Sequence, residues 1–206
     1  MTSPGGTIQE PLARAAALPA GNGAPSPPPK KCPALAGGTG LLADGDFSQA
    51  AYPVGEFATF SNGEIFAPSW TVTGTSIDLY GSGFQTPGSL CSVDLDGTTG
   101  PGGIVSAPIP TTPHQKYTVD FLFSGNGFCA EMPPIKTMTV SAADRLEKFS
   151  WSVAKGKSAQ LGDFKHEKFT FKATLAGTQL TFLSDDAKQS GRGSYCGPVV
   201  AAITVN

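Results

Sequence analysis

Charge is scarce in this chain. Only 15% of its 206 residues are Asp, Glu, Lys or Arg, and they leave a net charge of −2. No basic face is therefore available to hold nucleic acid or an anionic membrane surface. Long apolar runs are missing too: nothing approaches the ~20 residues that cross a bilayer as a helix. There are only two histidines, His114 in "TTPHQK" and His166 in "DFKHEKF", and neither context names an acid–base role. G-x-S-x-G, H-E-x-x-H and P-loop patterns are absent. The four cysteines (Cys32, Cys91, Cys129 and Cys196) contain no C-x-x-C pair, which argues against a zinc site built from local knuckles. They are either buried thiols or two disulfides with three connectivities open, and spacing does not choose among these. The opening "MTSPGGTIQEPLARAAALPAG" lacks the basic start and continuous apolar stretch of a secretion signal, so either export relies on a signal not visible here or the chain is intracellular, and the first is the expectation.

Backbone punctuation takes the place of charge: the chain has 26 Gly and 18 Pro. Inside a helix these cost about 1 and about 3 kcal/mol each, which favours short strands joined by tight turns. Residues 1–38, including "GAPSPPPKK", read as a disordered Pro/Gly/Ala-rich tail or linker, too poor in apolar surface to offset its ordering entropy. Residues 39–206 read as one domain with period-two patterning. "SWTVTGTSIDLY" (69–80) alternates Trp70 and Val72, then Ile77 and Leu79, with polar neighbours. "KYTVDFLF" (116–123) sets Tyr117, Val119, Phe121 and Phe123 on one face, and "IKTMTVSA" (135–142) alternates Ile135, Thr137 and Thr139 with Lys136, Met138 and Val140. "EKFTFKAT", "TQLTFLSD" and "VVAAITV" repeat the habit. Nine or ten strands and no persuasive helix predict an all-β domain closed as a sandwich or barrel to hide its edges.

Acids recur at alternate positions. In "LCSVDLDGTTGPGGI" (90–104), Asp94 and Asp96 share a strand face roughly 7 Å apart, a spacing that suits a hydrolase pair and two solvated acids alike. "DLDG" reads as a strand entering a turn, with Asp96 capping it and Gly97 taking positive φ. Asp78 in "SIDLY" and Asp94 each follow a strand hydrophobe and read as buried structural acids that need donors or a cation. Asp44 and Asp46 in "LADGDF" are candidate ligands for a structural calcium, which takes about six to eight oxygens, although the stretch lacks EF-hand spacing. Thirteen Phe, four Tyr and two Trp must mostly build the core. Tyr52, Phe60, Phe66, Phe84 and Phe128 lie in loop-like contexts where a sugar ring could stack, with Asn62, Glu64, Gln85 and Asn126 near enough in sequence to take hydroxyls.

"LLADGDF", "PSWTVTGTSIDLYGSGFQTPGSLCSVDLDGTTGPGGI", "YTVDFLFSGN", "KTMTVSA", "KFTFKAT…TQLTFLSD" and "YCGPVVAAITV" follow one another in an order that resembles the family catalogued as domain of unknown function 642, with its bacterial choice-of-anchor C relatives. The resemblance covers about residues 40–206. It implies a galactose-binding-like jelly-roll β-sandwich akin to carbohydrate-binding modules, in an extracellular or cell-wall protein without catalytic residues. It also implies a Cys129–Cys196 disulfide, because family members carry one cysteine after the F-x-F/L-x-G strand and another in C-G-P; Cys32 and Cys91 then fall to each other. Two positions depart from the family pattern. Asp44-Gly45-Asp46-Phe47-Ser48 stands where the family has N-G-x-F-E, and Ala201 and Ala202 replace a terminal acidic pair, which weakens the calcium expectation. The glycan reading takes Phe66, Trp70, Tyr80, Phe84, Gln85 and Asn126 as the ligand-binding set. The function expected is non-catalytic recognition of a cell-wall or extracellular polysaccharide, with cell-wall proteins as further partners. The alternative is a structural or adhesive surface protein that binds protein partners. No cofactor beyond the calcium, no nucleic acid and no membrane insertion are expected.

Overall fold

A computed structural model describes residues 30–52, 57–81, 87, 90–128, 134–154, 157–186 and 195–206. Two antiparallel sheets hold six and seven strands among these residues, twelve on the main paths and a two-residue strand, Asp96–Gly97, paired beside them. In chain order the twelve begin with β1 (Phe57–Ser61), β2 (Ile65–Ala67), β3 (Trp70–Gly74), β4 (Ser76–Tyr80), β5 (Ser92–Asp94) and β6 (Gly100–Ser106). They continue as β7 (Lys116–Gly125), β8 (Ile135–Ala142), β9 (Arg145–Ser152), β10 (Lys165–Lys172), β11 (Leu180–Ser184) and β12 (Pro198–Val205). One sheet is ordered β10-β7-β12-β5-β4-β1 and the other β9-β8-β11-β6-β3-β2. The last strand thus lies between a middle and an early one, the interleaving of a jelly-roll β-sandwich.

The stretch 69–80, one alternating run in the sequence, is two strands in different sheets. Gly74 is the step between them. Its φ is 77°, and a Cβ there would lie 2.8 Å from the Gly102 Cα. The alternation changes phase across the step, so Trp70 and Val72 point into the core from one sheet and Ile77 and Leu79 from the other. In β7, Tyr117, Val119, Phe121 and Phe123 all face inward. Phe121 makes edge contacts with Phe149 and Phe182, each 5.2 Å between centroids, and each buried ring contributes about 1.5–3 kcal/mol through its apolar area.

Two sequence expectations change. Asp96–Gly97 is not the turn but a two-residue strand paired with Gly100–Pro101, which leaves Thr98 and Thr99 as the turn. Gly97 does not take positive φ; it is glycine because a Cβ would come within 2.7 Å of the Ile77 backbone. Residues 30–38, read as tail, are stapled to the domain. Lys30–Lys31 pairs with Ala51–Tyr52, Cys32 is bonded to Cys91 with Cα atoms 5.5 Å apart, and the Leu35 N–H donates to Asp46 Oδ2 at 2.6 Å. A disulfide and directed hydrogen bonds hold a segment that its composition alone would leave loose. Residues 1–29 lie outside the described residues.

Gly40 then runs parallel to Val205. The Leu41 N–H donates to Val205 O (2.9 Å), and the Val205 N–H donates to Thr39 O (3.2 Å). Cys196 is also disulfide-bonded, while Cys129, the partner implied by the family resemblance, lies outside the described residues. Among the described residues the helical content is one 3-10 turn, Ala159–Leu161, and no helix is long and apolar enough to cross a membrane.

Candidate functional site

Because β4 and β5 send Ile77, Leu79 and Val93 into the core, their alternates Asp78, Tyr80 and Asp94 lie on the opposite face of that sheet. Asp78 and Asp94 are direct cross-strand partners. Both are buried, at 1% and 0% exposure, so each must be supplied with donors.

Asp94 accepts from Asn126 Nδ2 at 2.7 Å, the Asp96 N–H at 2.9 Å and the Gly197 N–H at 3.0 Å. Asp78 accepts from Thr59 Oγ1 at 2.7 Å, Thr98 Oγ1 at 3.0 Å and the Thr98 N–H at 3.2 Å. Burial raises the pKa of both against these bonds, and that of Asp94 well above the usual carboxylate range, with the neighbouring Asp96 charge adding to the effect.

Asn126, itself buried, is the junction between this acid layer and the surface. Its Nδ2 reaches Tyr195 O at 3.5 Å as well as Asp94. Its Oδ1 accepts from the Phe128 N–H at 2.9 Å and from Gln160 Nε2. One amide therefore fixes two loop aromatics by their backbones, and Asp94 fixes the amide.

Over this layer lies a cleft of about 270 Å³ lined by Phe57, Asp78, Tyr80, Thr98, Asn126, Phe128 and Tyr195. Phe57 and Tyr80 are cross-strand partners with ring centroids 5.2 Å apart, and Phe128 is 71% exposed. Such a cleft offers apolar ring faces beside a carboxylate and hydroxyls. Those are the two kinds of surface that a small polyhydroxylated ligand presents in complement.

Of the residues singled out in the sequence, Tyr80, Asn126 and Phe128 come together here. Phe66 and Trp70 do not. They are core residues at 5% and 1% exposure, packed on Phe47 with centroids 5.7 and 5.8 Å apart, and cannot stack on a ligand. The reason is phase: both occupy the inward alternate of their short strands, which a loop-like sequence context conceals. Phe60 also packs against the core, and Glu64 accepts from the Ser61 N–H within its own hairpin. Phe84, Gln85 and the Tyr52 side chain lie outside the described residues. Phe57, Thr98 and Tyr195 were missed. Only the β1–β4 register places Phe57 opposite Tyr80, and Tyr195 is overshadowed in sequence by Cys196.

Asp44 and Asp46 are buried and already engaged. Asp46 Oδ2 accepts from the Leu35 N–H and its Oδ1 from the Ser48 N–H, while Asp44 Oδ1 accepts from the Gln49 N–H (2.9 Å) and Ser48 Oγ (3.2 Å). Asp44 also uses its carbonyl to receive Trp70 Nε1 at 2.9 Å. Three of the four carboxylate oxygens thus tie the loop to itself and to Leu35, while the fourth, Asp44 Oδ2, is buried without a hydrogen-bond partner. Among the described residues no group of three or more His, Cys, Asp or Glu is placed to hold a metal ion. One free carboxylate oxygen is far short of the about six to eight oxygens that calcium takes.

Several solved structures are similar in outline. A family 35 carbohydrate-binding module from an environmental isolate has 13% identity and a TM-score of 0.43, over 72% of this chain and 92% of its own. A CBM35 from Paenibacillus barcinonensis has 13% identity and a TM-score of 0.42, over 72% of this chain and 98% of its own. The exo-β-1,3-galactanase of Phanerochaete chrysosporium, solved with β-1,3-galactotriose, has 13% identity and a TM-score of 0.42 over 75% of this chain, which spans only 30% of that enzyme. No curated protein matches the chain. The family profile described as "Protein of unknown function (DUF642)" matches residues 40–206, and the chain belongs to that family.

Proposed function

We propose that the chain is a non-catalytic, exported glycan-binding module whose ligand occupies the cleft beside Asp78 and Thr98. The observation that carries this reading is the gathering of three partly or mostly exposed aromatic residues (Phe57, Phe128 and Tyr195), backed by the buried Tyr80, around a carboxylate and a hydroxyl in one open cleft. A pyranose has an apolar C–H face and a rim of hydroxyls. The exposed rings receive the face, and the Thr98 hydroxyl, which donates to Asp78 Oδ2, accepts from the rim. Export rests on the Cys32–Cys91 disulfide, which persists in oxidising compartments. Binding needs no calcium, given how Asp44 and Asp46 are engaged.

The test is titration against a panel of neutral and acidic cell-wall polysaccharides, with and without a chelator, for the wild type and Phe128→Ala. The Phe128 ring is mostly exposed, so its removal leaves the fold intact and should weaken binding by about tenfold, equivalent to about 1.4 kcal/mol. Chelation should leave the affinity unchanged. Equal binding by Phe128→Ala would put the ligand elsewhere. No binding to any polymer would overturn the glycan reading in favour of an adhesive surface protein with protein partners.

A further inference from the structure

Lys136 has a fully buried side chain and an Nζ with no hydrogen-bond partner. Asp186 Oδ2 lies 3.8 Å away on a side chain 5% exposed, also without a hydrogen bond. Asp96 Oδ1 is a third buried polar atom without one, and its charge and that of Lys136 act on each other. Native interiors rarely leave such groups unpaired. A buried ion pair that touches without hydrogen bonds bears the desolvation of both charges and recovers little of it.

The surroundings hold the pair together. Lys136 follows the inward phase of Met138 and Val140 in β8. The β8–β11 ladder pairs Met138 with Ser184 and continues through the Asp185 N–H donating to Thr137 O, so Asp186 comes opposite Lys136. The Thr137 N–H donates to Asp186 Oδ1 at 3.1 Å, leaving Oδ2 to face the amine. The lysine stem is encased: a Cβ on Gly125 would come within 2.9 Å of its Cγ. Asp96 is clamped as closely, because a Cβ on Gly197 would lie 2.5 Å from its Cγ.

We propose that Lys136 and Asp186 join in an intramolecular isopeptide bond, with the Asp96 carboxyl relaying the proton. The neutral amine adds through its lone pair to Asp186 Cγ, and the developing charge on Oδ1 is met by the Thr137 N–H, as in an oxyanion hole. Oδ2 already carries the proton of the neutral acid; Asp96, as the carboxylate, takes a second proton from the nitrogen and delivers it to Oδ2. The Cγ–Oδ2 bond breaks, one water leaves, and Asp96 returns to its starting state. No oxidant or cofactor is required. Burial supports the neutral reactants: it lowers the pKa of Lys136, raises that of Asp186 and raises that of Asp96 to about 7. The amide replaces two unpaired charges with one neutral group and ties β8 to the segment after β11.

The test is a tryptic map and intact mass of the reduced, denatured full chain. The expected result is a joined peptide containing Lys136 and Asp186, lighter than its two parts by one water, with no cleavage after Lys136. Asp96→Asn keeps both reacting residues and should give the two separate peptides at full mass, as should Lys136→Arg. Separate wild-type peptides, with cleavage after Lys136, would overturn the proposal and leave a plain buried ion pair. Because the wild-type chain alone decides this, the result does not depend on any variant folding. A cross-link that persists in Asp96→Asn would remove Asp96 from the chemistry.

Discussion

Asp78, Asp94 and Asp96 are all buried, yet each is held differently. Asp78 is held by two threonines, Asp94 by an asparagine and two backbone N–H groups, and Asp96 in part by the Ser184 hydroxyl. The first two are legible in the sequence, since each follows an inward hydrophobe in a run too apolar to be a surface strand. Asp96 is not, because Asp-Gly is such a strong turn signal that it masks a strand residue. Lys136 stands at an inward position of "IKTMTVSA", in phase with Met138 and Val140, but a lysine is assigned to solvent by habit. The pH dependence of stability belongs to this scale. The Asp96 pKa rises from 3.8 to about 7 on folding, chiefly through burial. Between those values the folded state keeps a proton that the unfolded state releases, so stability falls as pH rises through that window. Urea midpoints should be higher at pH 5 than at pH 8, with Asp96 contributing up to about 1.4 kcal/mol per pH unit. Asp96→Asn should reduce that slope without abolishing it, because burial also raises the pKa of Asp78, Asp94 and Asp186. A slope unchanged by the substitution would assign the dependence to another group.

Strands are legible because period-two alternation is a local property of the chain. Their allocation to sheets is not, because it depends on where the chain breaks phase and on which distant strand it meets. Gly74 illustrates this: one glycine splits a twelve-residue alternating run between two sheets. Gly74→Ala combines a positive φ of 77° with a Cβ 2.8 Å from Gly102 Cα, whereas Gly63→Ala at φ 84° meets nothing within 4 Å. The second should cost only the backbone term, about 1–2 kcal/mol, and the first distinctly more in denaturant unfolding. Equal costs would mean that the sheets part easily at this step. The same limit applies to the cleft. Tyr80 and Asn126 are recognisable as candidates, but Phe57 acquires meaning only through its register opposite Tyr80.

For the whole molecule, the disulfide matters more than the composition of the segment that it anchors. Cys32 and Cys91 are 59 residues apart in sequence, and closing a loop of that length stabilises the fold by about 4 kcal/mol in the chain-entropy account. The Cys32→Ser/Cys91→Ser double variant should lose about that much in equilibrium unfolding and free residues 30–38 to proteolysis. Undiminished stability would show that β12 and the Gly40 bridge hold the N-terminal segment unaided. The bridge also has a mechanical meaning. Residues 39–41 lie parallel to Val205, so tension applied at the two ends of the domain would load both hydrogen bonds of this seam together, in shear, rather than peel them one after the other. Cys32 lies upstream of the seam and meets that tension first, passing it across to Cys91 in the interior. In the oxidised domain such a load would therefore pass through its middle. Reduction would shift the same load onto two hydrogen bonds at its edge.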